Sequence, residues 1–115
     1  MRQWLVQGFK CAFSGLRTAW VEGVNFKIEI VCAVLAVTAS IFLNISLQEF
    51  AIVILVIGSV LAAESFNTAL EELCDKFQPT HDPHIAKIKD LASAAVLLTI
   101  VVAFIIGLAI FVPYL

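Results

Sequence analysis

Charge is missing from most of this chain. No Asp, Glu, Lys or Arg occurs between Glu29 and Glu49, between Glu49 and Glu64, or after Asp90. Uncharged runs of that length do not suit the surface of a soluble domain. Hydrophobic residues make up 62% of the sequence and the mean hydropathy is +1.03, against about 45–50% apolar usage in soluble proteins. The composition is that of an integral membrane protein. Basic residues are scarce and unclustered, seven Lys and Arg against nine Asp and Glu, which excludes nucleic acid as a partner. The five glycines, Gly8, Gly15, Gly23, Gly58 and Gly107, fit neither G-x-x-x-x-G-K-[ST] nor G-x-G-x-x-G, so any nucleotide site has to be of another design. Cys11, Cys32 and Cys74 are odd in number and lack C-x-x-C spacing. Neither a disulfide framework nor a zinc site follows, and they read as small packing residues. The opening M-R-Q-W-L-V-Q-G-F-K-C-A-F has no long uncharged core and no small-residue cleavage pattern, so no cleavable leader is expected.

What is present divides into four helical segments in a single domain, 1–115. From about 3 to 21, Trp4, Leu5, Phe9, Phe13, Leu16 and Trp20 alternate with Arg2, Gln7, Lys10, Ser14 and Arg17. This pattern predicts an amphipathic helix lying in the membrane interface and anchored by its two Trp residues. The uncharged run that follows predicts a first span over about 29–47. Asn44 and Ser46 mark a short turn. The second span, about 49–77, has an apolar part of only fourteen residues, Phe50 to Ala63, before the helical pattern continues through acidic residues and out of the lipid. Pro79 and Pro83 end it in a loop, and a third span is expected over about 88–114. The expected fold is therefore all-α, a surface helix plus three transmembrane helices.

Arg2, Lys10, Arg17 and Lys27 precede the first span, and Lys76, Lys87 and Lys89 lie between the second and third. None lies near Ser46 or after Lys89. The positive-inside rule predicts a cytoplasmic N-terminus and a cytoplasmic Pro79 loop in a multi-pass membrane protein.

The segment Glu64 to Asp75, E-S-F-N-T-A-L-E-E-L-C-D, is the candidate site. On a helix advancing about 100° per residue, Glu64, Asn67, Glu71 and Asp75 fall at roughly 0°, 300°, 340° and 20°. They form one polar stripe, with Glu72 roughly 80° round from Glu64 and facing water. Ionisable groups at membrane depth cost about 2.5–3.5 kcal/mol each on insertion scales, so they mark function by default. Structurally, Asn67 and Thr68 could bond neighbouring helices while the acids pair with Lys76, Lys87 and Lys89. Chemically, the acids outnumber the bases of the same segment, and magnesium, which uses one or two carboxylates plus substrate phosphates, suits them. Glu64, the deepest, is then placed to act as a general base.

These residues resemble a known signature. E-S-F-N-T-A-L-E-E-L-C-D, followed by K-I-K-D-L-A-S-A-A-V-L-L, is similar to the pattern E-x-x-N-[ST]-A-[IL]-E-x-x-x-D, then K-D-x-[AG]-[SA]-A-A-V, of the small bacterial membrane lipid kinases that phosphorylate diacylglycerol or undecaprenol. The likeness extends over almost the whole chain, through G-L-R-T-A-W, N-F-K and the closing G-L-A-I-F-V-P. It implies a homotrimer with active sites shared between neighbouring subunits, and transfer of the γ-phosphoryl group of ATP to a lipid alcohol with Mg2+ as cofactor. Glu64 then matches the catalytic base beside the lipid hydroxyl, and Glu71 a magnesium ligand that also approaches the nucleotide. Asn67 matches a polar residue organising the nucleotide site, Lys89 and Asp90 a nucleotide-contacting pair, and Ser93 a residue near the lipid. Thr80, His81 and Asp82 occupy the loop that approaches the nucleotide, with His81 as its candidate contact.

One position departs from the pattern. Where the family carries a second metal-binding Glu, this chain has Gly23, with Glu22 just before it. Glu22 is the candidate second ligand, and Glu29 or Asp75 are the substitutes. The closing G-L-A-I-F-V-P-Y-L and the N-F at Asn25 are more similar to the undecaprenol branch, and both lipids present a primary alcohol. Two other readings compete: a small ion-translocating oligomer with Glu64 as its ion site, and a non-catalytic relative, suggested by Gly23.

Overall fold

The computed structural model describes residues 1–77, 80 and 82–115, with Val24 by its backbone. Pro79 and His81, two of the loop residues singled out above, lie outside the described residues. Among the described residues four helices are seen: α1 (Arg2–Glu22), α2 (Val24–Phe42), α3 (Leu47–Phe77) and α4 (Pro83–Phe111), closed by a 3-10 turn over Val112–Tyr114. Three segments, Asn25–Phe42, Leu47–Phe77 and Pro83–Tyr114, are long and apolar enough to cross a membrane. The protein is an all-helical membrane protein whose large apolar side chains, among them Leu55, Leu98 and Phe104, point outward. That is the arrangement of a chain whose solvent is hydrocarbon.

α1 and α2 are separated by one residue. Gly23 takes φ −93°, ψ 104° and donates its N–H to Ala19 O. A Cβ at this position would lie 2.6 Å from that same carbonyl oxygen, so the corner needs glycine for close approach. Lys27 lies 5.8 Å from the centre of the Trp20 ring, and Ala19 and Phe26 are buried beside it. The corner is thus held from both sides. It also makes the helix of the first span begin at Val24, ahead of the expected 29. That helix ends at Phe42, short of the expected 47, because Asn44 adopts a left-handed φ of 53°, a conformation Asn tolerates better than most residues.

α3 starts with a reciprocal cap. Ser46 N–H donates to Glu49 Oε1 and Glu49 N–H to Ser46 Oγ, both at 3.1 Å, the capping-box arrangement. Tyr114 Oη also donates to Glu49 Oε1, tying the end of α4 to the start of α3. At 31 residues α3 is about 46 Å long, well beyond a hydrocarbon thickness of about 30 Å. α4 begins at Pro83, where a start near 88 was expected. The Asp82 carboxylate accepts from the N–H groups of His84 and Ile85 at 2.8 and 3.2 Å, and proline suits the first helical position because it has no N–H to leave unpaired. Hydroxyls within the spans turn back on their own helices, as in Ser40 to Ala36 O and Ser59 to Leu55 O, which satisfies them where no water is available.

Candidate functional site

α3 packs most extensively against α4 and also against α2. Its buried residues include Val53, Val60, Asn67 and Cys74, a seven-residue repeat that keeps one face turned to its neighbours. Glu64 lies between the second and third of these. It is only 4% exposed and Asn67 only 8%, whereas Glu71, Glu72 and Asp75 are exposed. The polar stripe therefore has a deep half and an open half. Asn67 joins them, its Nδ2 donating to Glu71 Oε1 at 3.3 Å. Thr68 Oγ1 donates to the Glu64 carbonyl at 3.1 Å, an internal helix contact rather than a bond to a neighbour.

Glu64 Oε2 and Asn67 Oδ1 are buried without a hydrogen-bond partner. Leaving such an atom unsatisfied costs about 1–3 kcal/mol, more when it is charged. Two of them, one turn apart on one face, are the mark of a site that receives something.

Glu29 contributes a third. Glu29 on α2 lies near enough to Glu64 on α3 for the two carboxyl groups to act on one another, and Glu29 Oε2 is likewise buried without a partner. In the sequence Glu29 is a candidate substitute for the second metal ligand, and its nearness to Glu64 is not evident from the motifs there. A signal was there: α2 and α3 run antiparallel through a short turn. Glu29 lies about 20 Å before that turn and Glu64 about 25 Å after it, at 1.5 Å per residue. Below the pair an apolar cleft of about 520 Å³ opens between α2, α3 and α4, lined by Ile28, Glu29, Cys32, Val60, Leu61 and Phe104 among others.

Lys89 Nζ lies 2.5 Å from Asp75 Oδ1, so this lysine faces the open half of the stripe, close enough for Glu71 to act on its charge. Among the described residues no ion pair forms between the stripe and Lys76 or Lys87. Asp90 does not share the face of Lys89. It lines a shallow hollow with Pro83, Ala86, Lys87, Leu91 and Ala94. Ser93 is exposed on α4. Beside α3, α1 presents Lys10, Ser14, Gly15 and Thr18 across a cleft of about 670 Å³ from Ser65 and Glu72. Arg17 and Glu22 are exposed. Of the cysteines, Cys74 is buried and packs in the α3 repeat, while Cys11 and Cys32 are exposed.

Among the described residues no three His, Cys, Asp or Glu side chains converge as a metal cage. Glu71 nonetheless offers an exposed hard oxygen donor, already oriented by Asn67. That fits magnesium, which takes one or two carboxylates and completes its shell from phosphates and water.

A spanning helix that carries a buried carboxylate where its apolar part gives way to a polar stripe, with a cation from the next helix at the open end of that stripe, defines a small membrane protein built around a polar site. Residues 10–111 match the family model described as prokaryotic diacylglycerol kinase. The chain is 34% identical over 89 residues to the undecaprenol kinase of Bacillus subtilis (strain 168), covering 77% of this chain and 72% of that protein. It is 32% identical over 94 residues to the diacylglycerol kinase of Escherichia coli (strain K12), covering 82% and 77%. To the diacylglycerol kinase of Synechocystis sp. (strain ATCC 27184 / PCC 6803 / Kazusa) it is 33% identical over 110 residues, 95% of this chain and 63% of that protein. The chain belongs to the prokaryotic diacylglycerol kinase family and is a lipid kinase.

Proposed function

We propose that this protein transfers the γ-phosphoryl group of ATP to the hydroxyl of a membrane lipid alcohol, with Mg2+ as cofactor, at the cytoplasmic edge of the bacterial inner membrane. The observation that carries this reading is the partnerless carboxylate oxygen of Glu64, buried where the apolar part of α3 gives way to its polar stripe. A lipid alcohol held in the bilayer brings its hydroxyl to that level without leaving the membrane, and the cleft below Glu29 is apolar enough for a hydrocarbon chain.

Glu64 accepts the hydroxyl proton as the lipid oxygen forms its bond to the γ-phosphorus and the bond to the β,γ-bridging oxygen breaks, releasing ADP. Asn67 orients Glu71, which with Glu22 would hold the metal, and magnesium bound there would supply neutralisation of phosphate charge. Lys89 balances charge on the nucleotide from the facing helix, Asp90 serves the nucleotide, and Ser93, one turn beyond Lys89, serves the lipid. His81, outside the described residues, is the candidate nucleotide contact carried over from the family resemblance. Positioning and charge neutralisation are most of what phosphoryl transfer requires, so so small a scaffold suffices. Because Asp90 lies on a different face of α4 from Lys89 and Glu22 is exposed on α1, the reading includes a homotrimer in which neighbouring subunits complete each site. The charge asymmetry of the loops supports a cytoplasmic N-terminus.

The test is a bilayer containing undecaprenol and diacylglycerol together, supplied with γ-labelled ATP and Mg2+. Label is expected in a lipid, with undecaprenol preferred on the C-terminal likeness. Absence of label from both lipids overturns the reading, and ion flux in the same vesicles would favour a translocating oligomer.

A further inference from the structure

α3 and α4 are pinned to each other at both ends. At the stripe, Lys89 Nζ meets Asp75 Oδ1 at 2.5 Å. At the far end, Tyr114 Oη donates to Glu49 Oε1, also at 2.5 Å, a length that hydroxyl bonds to carboxylates reach. The same Glu49 oxygen accepts from Ser46 N–H while Glu49 N–H donates to Ser46 Oγ, so the acceptor is itself fixed by the cap of its helix. The 3-10 turn Val112–Tyr114 closes α4 and carries the phenol.

The two pins match in spacing. From Lys89 to Tyr114 along α4 and its closing turn, and from Asp75 back to Glu49 along α3, the axial rise is about 39 Å in each case, at about 1.5 Å per α-helical residue and about 2.0 Å per 3-10 residue. Among the described residues these are the two side-chain hydrogen bonds that join the helices. Of the other buried residues, Val53 and Val60 on α3 and Ala92 and Val96 on α4 are small and apolar. In lipid no hydrophobic driving force resists the sliding of one apolar helix on another, so close packing and polar bonds set the register. A slide of α4 by one turn, about 5.4 Å, breaks both bonds at once and carries Lys89 along the stripe.

We infer that Tyr114 and Glu49 are positioning residues for the site at the other end of the bundle: their hydrogen bond fixes the axial register of α4 on α3, and with it the place of Lys89 beside the acidic stripe. Neither residue reaches the reacting atoms, and no bond is made or broken at them in the phosphoryl transfer.

This inference rests on Lys89 serving the nucleotide, and two measurements separate it from that premise. The first is kinetic, in vesicles supplied with ATP, Mg2+ and the lipid alcohol. Tyr114→Phe keeps the ring and removes the O–H, and should raise the KM for ATP by about threefold to tenfold, at most the ~1.4 kcal/mol that a tenfold change represents, with kcat and the lipid KM little changed. In Lys89→Met, which has no cation to place, adding Tyr114→Phe should not raise it further. A parental KM for ATP in Tyr114→Phe overturns the inference. So does the same rise in the Lys89→Met background, since Tyr114 would then act elsewhere, and so does a loss of kcat or assembly alone, since its role would then be structural. The second measurement reads the register without activity. With the three native cysteines replaced by serine, Asp75→Cys and Lys89→Cys should be joined by a short bifunctional thiol reagent, and Tyr114→Phe should slow that reaction several-fold. An unchanged rate overturns the inference whatever the kinetics. A parent that labels no lipid fails the kinase reading instead, and the cross-linking still decides the register.

Discussion

Lys89 of α4 and Asp75 of α3, fourteen residues apart in sequence, are joined across the helix pair with Nζ 2.5 Å from Oδ1. Both side chains are substantially exposed, at 37% and 64%, so the pair adds little to folding stability. Its consequence is positional. A flexible lysine that would otherwise sample many rotamers is held beside the open half of the acidic stripe, where phosphate charge would arrive.

Asp75→Asn should therefore leave the unfolding temperature nearly unchanged while raising the KM for ATP several-fold. Lys89→Met, which removes the cation itself, should lower kcat/KM for ATP by about tenfold to a hundredfold, the loss expected for a charge-assisted hydrogen bond. Steady-state kinetics in mixed micelles checks both. An Asp75 variant that unfolds early and keeps its KM would show the pair to be structural.

Glu64→Gln should insert and assemble normally, because glutamine matches the shape of a buried side chain whose Oε2 makes no bond. Lipid phosphorylation should fall by about 10²–10⁴-fold, the range for a lost general base. Normal incorporation of label would remove Glu64 from that role.

Replacing Glu71 tests the metal. With Glu71→Gln the magnesium concentration for half-maximal activity should rise about tenfold or more, equivalent to ~1.4 kcal/mol of binding, and saturating magnesium should restore much of kcat. An unchanged titration would exclude Glu71 as a ligand.

Gly23 is held by the corner rather than by chemistry. The Cβ of Gly23→Ala would meet Ala19 O at 2.6 Å and Phe26 Cβ at 3.1 Å. Since the first obstacle is backbone, destabilisation of about 1–3 kcal/mol is expected, typical of an overpacked contact. Gly23→Glu should be destabilised to a similar degree, and should not lower the magnesium requirement, even though the family pattern carries a metal-binding Glu here. Thermal unfolding in detergent and a magnesium titration together check this.

Much of the architecture was legible in composition and local pattern. The three apolar helices follow from uncharged runs after Glu29, Glu49 and Asp90, because lipid leaves no alternative to helix for so apolar a segment. The ends were less legible. D-P before His84 is a helix-start signal, yet the apolar run beginning at Leu91 drew the expected boundary past it. Asn44 and Gly23 set the limits of α2 through a left-handed residue and a close approach, neither of which periodicity reports.

The same division holds for the site. That Glu64, Asn67, Glu71 and Asp75 share a face of one helix is set by the sequence alone, since a 3.6-residue period depends on nothing beyond the helix. Which of them are buried, which lysine joins them, and that Glu29 lies near Glu64 were decided by the packing of α3 between its neighbours. Contacts between helices depend on crossing angle and axial register, and these are properties of the assembled bundle that no single helix carries.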